Sequence, residues 1–256
     1  MTRIYLILLA VFSFFLTGYS QANEIVWPDG QKLAVSLSYD DGLDSQLDNA
    51  IPALDELGLK ASFYILPNLS LYNRMEEWKN ISRNGHELGN HSMYHPCRRS
   101  LPDRDWVPQH HDLDNYTPEQ MIEELTTANI FLKALDGKTE RTITLPCGDL
   151  LVGNEELYIK HIRENFIAYK GQGVESGFSV IWAPSNVAGD ELIEFVKNVP
   201  AETSLINILF HGVGGDHLSV STEAHNKLLN FLAENTETYY IDTFMNIMKY
   251  ANTHAD

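Results

Sequence analysis

The chain has 256 residues, 44% of them hydrophobic, enough for one large core or two small ones. Its 18 Lys and Arg stand against 35 Asp and Glu, a formal net charge of −17. So acidic a surface repels polyanions, which argues against nucleic acid and anionic lipid as partners and leaves neutral or cationic ligands.

Residues 1–22 stand apart from the rest. Arg3 precedes an apolar run over 4–16, followed by Ser20-Gln21-Ala22, a small-x-small cleavage pattern. The run is short for a bilayer span and contains no cysteine for a lipid, so the expectation is a removed signal peptide and no stable membrane anchor. The protein is then exported, to a periplasm or the extracellular medium, with a mature chain beginning near Asn23 and carrying a net charge of −18 once Arg3 is gone. Cys97 and Cys147 are the only cysteines; in an oxidising compartment such a pair suits either a disulfide or two free thiols.

From residue 23 onward no repeat, low-complexity tract or linker divides the chain. Leu33, Val35, Leu37 and Tyr39 alternate with small or polar neighbours, predicting a strand over 33–39 that runs into Asp40-Asp41-Gly42. Leu47, Ile51, Leu54 and Leu57 lie at helical spacing before Gly58. A strand follows over 61–66, then a helix through Met75, Trp78 and Ile81 that stops at Gly85, then a short strand over 86–90. Thr117-Pro118-Glu119-Gln120 is a capping box with proline at the first helical position. Its helix puts Met121, Leu125, Ala128, Leu132 and Leu135 on one face, and Gly137 closes it. Strands are expected over 142–145, 166–169, 205–210 and 239–241, and helices over 155–164, 191–199 (capped by Asp190), 222–233 and 244–250. The alternation predicts an α/β fold: a single domain over 23–256 whose parallel sheet curls into a distorted (β/α)7-type barrel, with an open doubly wound sheet as the alternative. No GxGxxG or Walker pattern supports nucleotide binding.

In such sheets the C-terminal ends of the strands carry the chemistry. Asp40 and Asp41 sit at one such end, where successive side chains diverge and can do different jobs; the same tripeptide also reads as a solvated turn closed by Gly42. His91 and His95, four apart in GNHSMYHP, are candidate metal ligands, and Gly89 and Pro96 favour a strand-to-loop turn over a helix there. His110, His111, Asp112 and Asp114 form a polar loop, read as a solvated rim instead of a second metal site. His217, in the turn GVGGDH, is expected to stay outside the cleft.

Taken together, Asp-Asp-Gly and His-x-x-x-His at successive strand ends give the sequence its resemblance to the polysaccharide deacetylase (NodB-homology) family of metal-dependent hydrolases, through most of residues 33–250. Tyr39-Asp40-Asp41-Gly42 resembles the first family motif, His91-Ser92-Met93-Tyr94-His95 the second, and INILFHG, ending at His211 and Gly212, the late apolar strand that ends in histidine. The resemblance implies that Asp41, His91 and His95 bind one divalent cation, which their donor set makes zinc first, with cobalt or nickel also suited. It implies Asp40 as general base, His211 as general acid, and an acetylated poly- or oligosaccharide substrate losing N- or O-acetyl groups. The alternatives are a catalytically inactive glycan-binding relative and a metal-dependent amide or ester hydrolase with a non-sugar substrate.

The chain departs from the family pattern in two places. The third motif, Arg-Pro-Pro-aromatic-Gly, reads Thr144-Leu145-Pro146-Cys147-Gly148, without the arginine that ordinarily holds the base; Arg98, Arg99 and Arg141 are candidates that spacing does not separate. Pro146 and Gly148 keep the turn, so the Cys147 N–H is a candidate oxyanion donor. An aspartate near Trp182 that would support the acidic histidine is missing between Gly171 and Gly189, leaving Asp149 and Asp216 as candidates to orient His211. Tyr94, Trp106 and Pro146 are candidate substrate contacts, and 97–116 a candidate specificity loop. If the motifs converge on one cation, the loops carrying Cys97 and Cys147 meet at the barrel mouth, which predicts a Cys97–Cys147 disulfide.

Overall fold

The computed structural model describes residues 25–153 and 156–254, so the predicted signal segment lies outside the described residues. In chain order the elements are β1 (Leu33–Asp40), a π-turn (Gln46–Ala50) leading into α1 (Ile51–Glu56), β2 (Ser62–Ile65), α2 (Leu69–Asn73), α3 (Met75–Arg83) and β3 (Glu87–Asn90). There follow α4 (Pro118–Asp136), β4 (Thr142–Ile143), the short pair β5 (Leu151–Val152) and β6 (Glu156–Leu157), α5 (Ile159–Asn165) and β7 (Ala168–Tyr169). The chain closes with β8 (Ser179–Trp182), α6 (Gly189–Lys197), β9 (Leu205–Phe210), α7 (Thr222–Glu234), β10 (Tyr239–Ile241) and α8 (Phe244–His254).

The main sheet runs β7-β4-β3-β2-β1-β9-β8, every pair parallel, with β10 beside the start of β1. It curls into a distorted, incomplete (β/α)7-type barrel whose two edge strands are β7 and β8. β1 is the centre. Ala34 through Tyr39 pair with β9 on one side, while on the other Leu33–Val35 take β10 and Ser38–Asp40 take β2.

The alternation in β1 divides the protein into two environments. Val35, Leu37 and Tyr39 face outward into the helix-covered core with Leu54, Phe63, Trp78, Phe210 and Leu228. The other set, Ser36, Ser38 and Asp40, faces the barrel interior and is equally buried. The interior is therefore polar above a hydrophobic plug, which Phe244, Ile247 and Met248 of α8 form with Trp27, Ala34 and Leu205. Above that plug the Lys170 ammonium donates to Ser36 Oγ (2.7 Å) and Asn207 Oδ1 (2.9 Å) and lies 4.2 Å from the Phe244 ring centroid. Among the described residues no helix is long and apolar enough to cross a membrane.

The capping box of α4 forms as its sequence requires: Gln120 N–H donates to Thr117 Oγ1, Thr117 N–H donates to Gln120 Oε1, and Gly137 closes the helix at φ 76°. Three local expectations need correction. The helix expected over 155–164 starts only at Ile159, because Glu156 and Leu157 pair antiparallel with Val152 and Leu151 in a small hairpin. Strand β8 and helix α2 have no counterpart among the predicted elements; Ser179–Trp182 shows no clean apolar alternation and becomes a strand by pairing with β9. Asp190 does not cap α6: the Glu191 carboxylate accepts the Ala188 N–H at 3.0 Å, and Asp190 turns outward to Lys227.

Burial lowers the Lys170 pKa to about 7, against the pull of Glu87 and Asp40. Between about pH 7 and 10 the unfolded chain holds a proton that the folded protein has lost, so this group's contribution to stability rises with pH across that window. Lys170→Met is expected to flatten the wild-type slope by up to about 1.4 kcal/mol per pH unit. Urea unfolding at three pH values in that window measures it; equal slopes would place the ammonium in water.

Candidate metal centre and active site

Strand pleat and one backbone reversal set the two aspartates apart. Asp40, the last residue of β1, is 2% exposed and points into the barrel. Asp41 follows at φ 76° and Gly42 at φ 63°, turning the chain out of the sheet. A Cβ at Gly42 would sit 3.2 Å from Ile65 Cγ2, so glycine suits this position on both counts. Asn68 holds the turn, its Nδ2 donating to the carbonyls of Asp41 (2.6 Å) and Gly42 (3.0 Å).

The histidine loop leaves β3 under similar restraint. Asn90 Nδ2 donates to the Leu125 carbonyl (2.9 Å) and Asn129 Oδ1 (2.7 Å), while its Oδ1 accepts the Ser92 N–H. Glu124 Oε1 accepts the N–H groups of Met93 (3.2 Å) and Tyr94 (3.0 Å), and Ser92 Oγ accepts that of His95 (2.9 Å). Ser92 and His95 take positive φ, as do Asp41, Cys147, Asp216 and Leu218 around the same opening, so local strain collects at this end of the barrel.

These restraints bring three donor atoms together. His91 Nε2 lies 3.3 Å and His95 Nε2 3.7 Å from Asp41 Oδ1. Donors sharing a tetrahedral zinc at 2.0–2.1 Å stand about 3.4 Å apart, so the set fits such an ion. The tautomers fit as well. His91 Nδ1–H donates to the Thr144 carbonyl (2.9 Å), which turns the Nε2 lone pair inward, where that atom is buried without an aligned hydrogen bond. With Asp41 Oδ1 at 3.3 Å and Asp40 Oδ2 at 3.8 Å, Nε2 faces carboxylate on two sides. Burial disfavours charge on this imidazole, yet the two carboxylates outweigh it and raise its pKa to about 9. The cluster thus demands positive charge at one point, from a proton or a cation. Burial and the neighbouring His91 lower His95 to about 4, keeping it a neutral donor. A second close group, His95 with Cys97 and Cys147, offers no thiolate, because the structure joins those cysteines in a disulfide with Cα atoms 5.8 Å apart.

Asp40 stands behind this triad. Burial pushes its pKa up to about 7, with His91 and Lys170 pulling the other way, and its Oδ1 is buried without a hydrogen-bond partner. None of the arginines considered above is turned to it: Arg98 donates to Asp114, Arg99 to the Val107 carbonyl, and Arg141 pairs with Asp136. The cation acting on Asp40 from within the barrel is Lys170. His211 follows β9 with Nε2 4.0 Å from Asp41 Oδ2, and burial lowers its pKa. Gln46 bridges the ends of β1 and β9, donating to the carbonyls of Asp40 (2.6 Å) and His211 (3.0 Å). The aspartates considered as supports for His211 do other work: Asp149 accepts the Arg98 N–H and pairs with Arg104, and Asp216 accepts the Ser45 N–H.

The donors open into a cleft of about 1360 Å³. Trp106, Leu150, Val174 and Leu218 line it from loops and Ile181 lines it from β8; all remain partly or largely exposed and give the cleft apolar walls. Cys147 borders it, whereas Pro146 is buried beneath the turn and Tyr94 stacks on His111 at 5.1 Å. The HHDLD segment braces its own loop, with Asp112 accepting the N–H groups of Arg99 and Asp114. His217 departs from expectation: it reaches the cleft and places Nε2 2.8 Å from Asp41 Oδ2. Three glycines (Gly212, Gly214 and Gly215) after strand-end His211 are the only sequence signal for so tight a return. Asn68 and Glu124 carry no signal in the sequence, because their work is done on backbone about 30 residues away.

The family profile described as polysaccharide deacetylase matches residues 28–159, and the chain belongs to that family. Its active members are metal-dependent hydrolases of carbohydrate acetyl groups, and some relatives are pseudoenzymes. A gellan lyase from a Bacillus species is 24% identical over 153 residues, 60% of this chain but only 5% of that protein. The fold is similar to the peptidoglycan deacetylase PdaC from Bacillus subtilis, at TM-score 0.57 and 14% identity, covering 89% of this chain and 95% of that one. It is also similar to BA3943, a CE4 family pseudoenzyme from Bacillus anthracis, at TM-score 0.54 and 16% identity, covering 86% and 66%.

Cys97 and Cys147 tie the histidine loop to the turn after β4 across 50 residues. In the chain-entropy account a loop of that length contributes about 4 kcal/mol of stability. The reduced protein is therefore expected to unfold at a clearly lower urea concentration than the oxidised one; coincident midpoints would deny the bridge any stabilising role.

Proposed function

We propose that this chain is an exported deacetylase that removes N- or O-acetyl groups from a carbohydrate, using one divalent cation held by Asp41, His91 and His95. The convergence of those three donors, with Asp40 behind them and His211 beyond, carries the reading. Zinc suits one carboxylate and two imidazoles best, with cobalt or nickel compatible. When bound, such a cation supplies Lewis acidity to the acyl carbonyl and makes water more acidic.

The chain's own residues do the rest. Asp40 takes the proton of the attacking water, its buried Oδ1 having no other hydrogen-bond partner. The Cys147 N–H, bordering the cleft, donates to the developing oxyanion. His211, protonated for this step, gives its proton to the leaving amine or alkoxide as the acyl bond breaks. Trp106 and the apolar walls hold a sugar face.

A second reading, an inactive glycan-binding relative, draws on the missing third-motif arginine and fourth-motif aspartate. Acetate release from acetylated chitin oligosaccharides, peptidoglycan and xylan, with and without chelator, separates the two. The deacetylase reading expects release from at least one glycan, lost on chelation and restored by zinc; silence on every glycan with zinc bound supports the inactive one.

Within that assay Asp40→Asn is expected to keep the cation and lose turnover by about 10²–10⁴-fold. His91→Ala is expected to lose stoichiometric zinc by elemental analysis. Wild-type turnover in the first variant, or full zinc in the second, would remove the assigned role. Export predicts a mature chain whose intact mass begins near Asn23; full-length protein in the membrane fraction would contradict cleavage.

A further inference from the structure

The two oxygens of Asp41 face different neighbours. Oδ1 is turned to the Nε2 atoms of His91 and His95, at 3.3 and 3.7 Å. Oδ2 is turned to the far side, 2.8 Å from His217 Nε2 and 4.0 Å from His211 Nε2. These distances describe two kinds of relation. Donors sharing a tetrahedral zinc stand about 3.4 Å apart, whereas 2.8 Å is the length of an N–H···O⁻ hydrogen bond. His217 is thus bonded to Asp41 itself and is not a further ligand of the same cation.

The turn that presents His217 is built for that approach. Val213 N–H donates to Ser45 Oγ (3.2 Å), Asp216 Oδ2 accepts the Ser45 N–H (2.9 Å), and Asn49 Nδ2 donates to the Val213 carbonyl (2.7 Å). These contacts clamp the turn onto the segment that follows Asp41. Asp216 and Leu218, on either side of His217, both hold positive φ, at 62° and 46°. Gly214 holds φ 69°, and a Cβ there would meet Thr222 Cγ2 at 2.5 Å, so the turn packs closely against α7 at this glycine. The imidazole is 56% exposed while the Asp41 side chain is only 15% exposed, so burial does not account for where the ring sits. Its contact with the carboxylate does.

We propose that His217 is a positioning residue for the cation site: by donating Nε2–H to Asp41 Oδ2 it reserves Oδ1 alone for the cation. The proposal rests on the reading that Asp41, His91 and His95 hold that cation. A carboxylate tied by one oxygen binds through the other only, leaving positions open for water and substrate that a bidentate carboxylate would reduce.

Zinc affinity by competition with a chromophoric chelator, together with the visible spectrum of the cobalt-loaded protein, tests this on the wild type and on His217→Ala, His217→Gln and Asp41→Ala. His217→Ala is expected to weaken zinc binding about 10–100-fold, the usual range for such outer partners. It is also expected to lower cobalt visible absorption, as Asp41 becomes bidentate and coordination expands. His217→Gln, which keeps an N–H donor, is expected to recover most of both. Wild-type affinity and spectrum in His217→Ala, with Asp41→Ala abolishing binding, would overturn this proposal alone. A glutamine variant as weak as alanine would also overturn it, by making the imidazole itself the requirement. If the wild type takes up no zinc, or Asp41→Ala binds it normally, the cation reading falls and takes this proposal with it.

Discussion

The mouth of the barrel depends on a single backbone reversal at Asp41. Up to Asp40 the chain obeys the pleat, which sends Tyr39 into the helix-side core and Asp40 into the interior. One more residue of regular strand would send the next side chain outward, away from the opening. At φ 76° the chain instead leaves the sheet, and the Asp41 carboxylate meets histidines from two other strand ends and a late turn. The conformation is costly for a residue with a Cβ and persists because neighbours over-determine it. Asn68 donates to the carbonyls of Asp41 and Gly42, Gln46 donates to that of Asp40, and Gly42 admits Ile65.

The interior behind this turn explains how a buried carboxylate is tolerated. An isolated charge there would be expelled or neutralised. Here Asp40 lies in the fields of His91 and Lys170, and the Lys170 ammonium has its own acceptors in Ser36 and Asn207. Glu87 extends the arrangement below, with Oε2 accepting from Ser62 Oγ (2.6 Å) and the Met245 N–H (2.9 Å). The strand positions that a hydrophobic barrel would fill with Val and Ile carry Ser, Asn and Thr, which supply the hydrogen bonds that the charges require.

What could be read in the sequence was what local periodicity determines. The alternation of β1 puts Asp40 and Asp41 at a strand end, and the structure does so; the apolar run of β9 ends just before His211. His91 and His95 converge in a strand-to-loop turn, which Gly89 and Pro96 already favour over a helix. What stayed illegible depends on distant partners. His217 reaches Asp41 because Ser45 and Asn49 pull its turn inward, and no pattern within GVGGDH encodes those bonds. Glu124 looks like an outward helical residue until Met93 and Tyr94 are seen to need an acceptor. The 155–164 segment fails for a different reason: pairing with Leu151 and Val152 overrides helical spacing in its first turn.

The third-motif departure shows how much of a family pattern is position and how much is charge. An arginine at the start of that turn would do two things at once: brace the turn and place a cation near the base. Here the tasks are divided. Cys147 holds a left-handed conformation, tied through its sulfur to the histidine loop, while Arg104 donates to its carbonyl and pairs with Asp149. The cation near Asp40 comes from Lys170, just beyond β7 and from a different strand end. Such a substitution is physically permissible because the field of a buried charge acts over several ångströms in a low-dielectric interior, whereas a braced turn needs contact. The electrostatic task can therefore move to another strand, but the bracing has to remain at the turn, and in this chain it falls to a disulfide and Arg104.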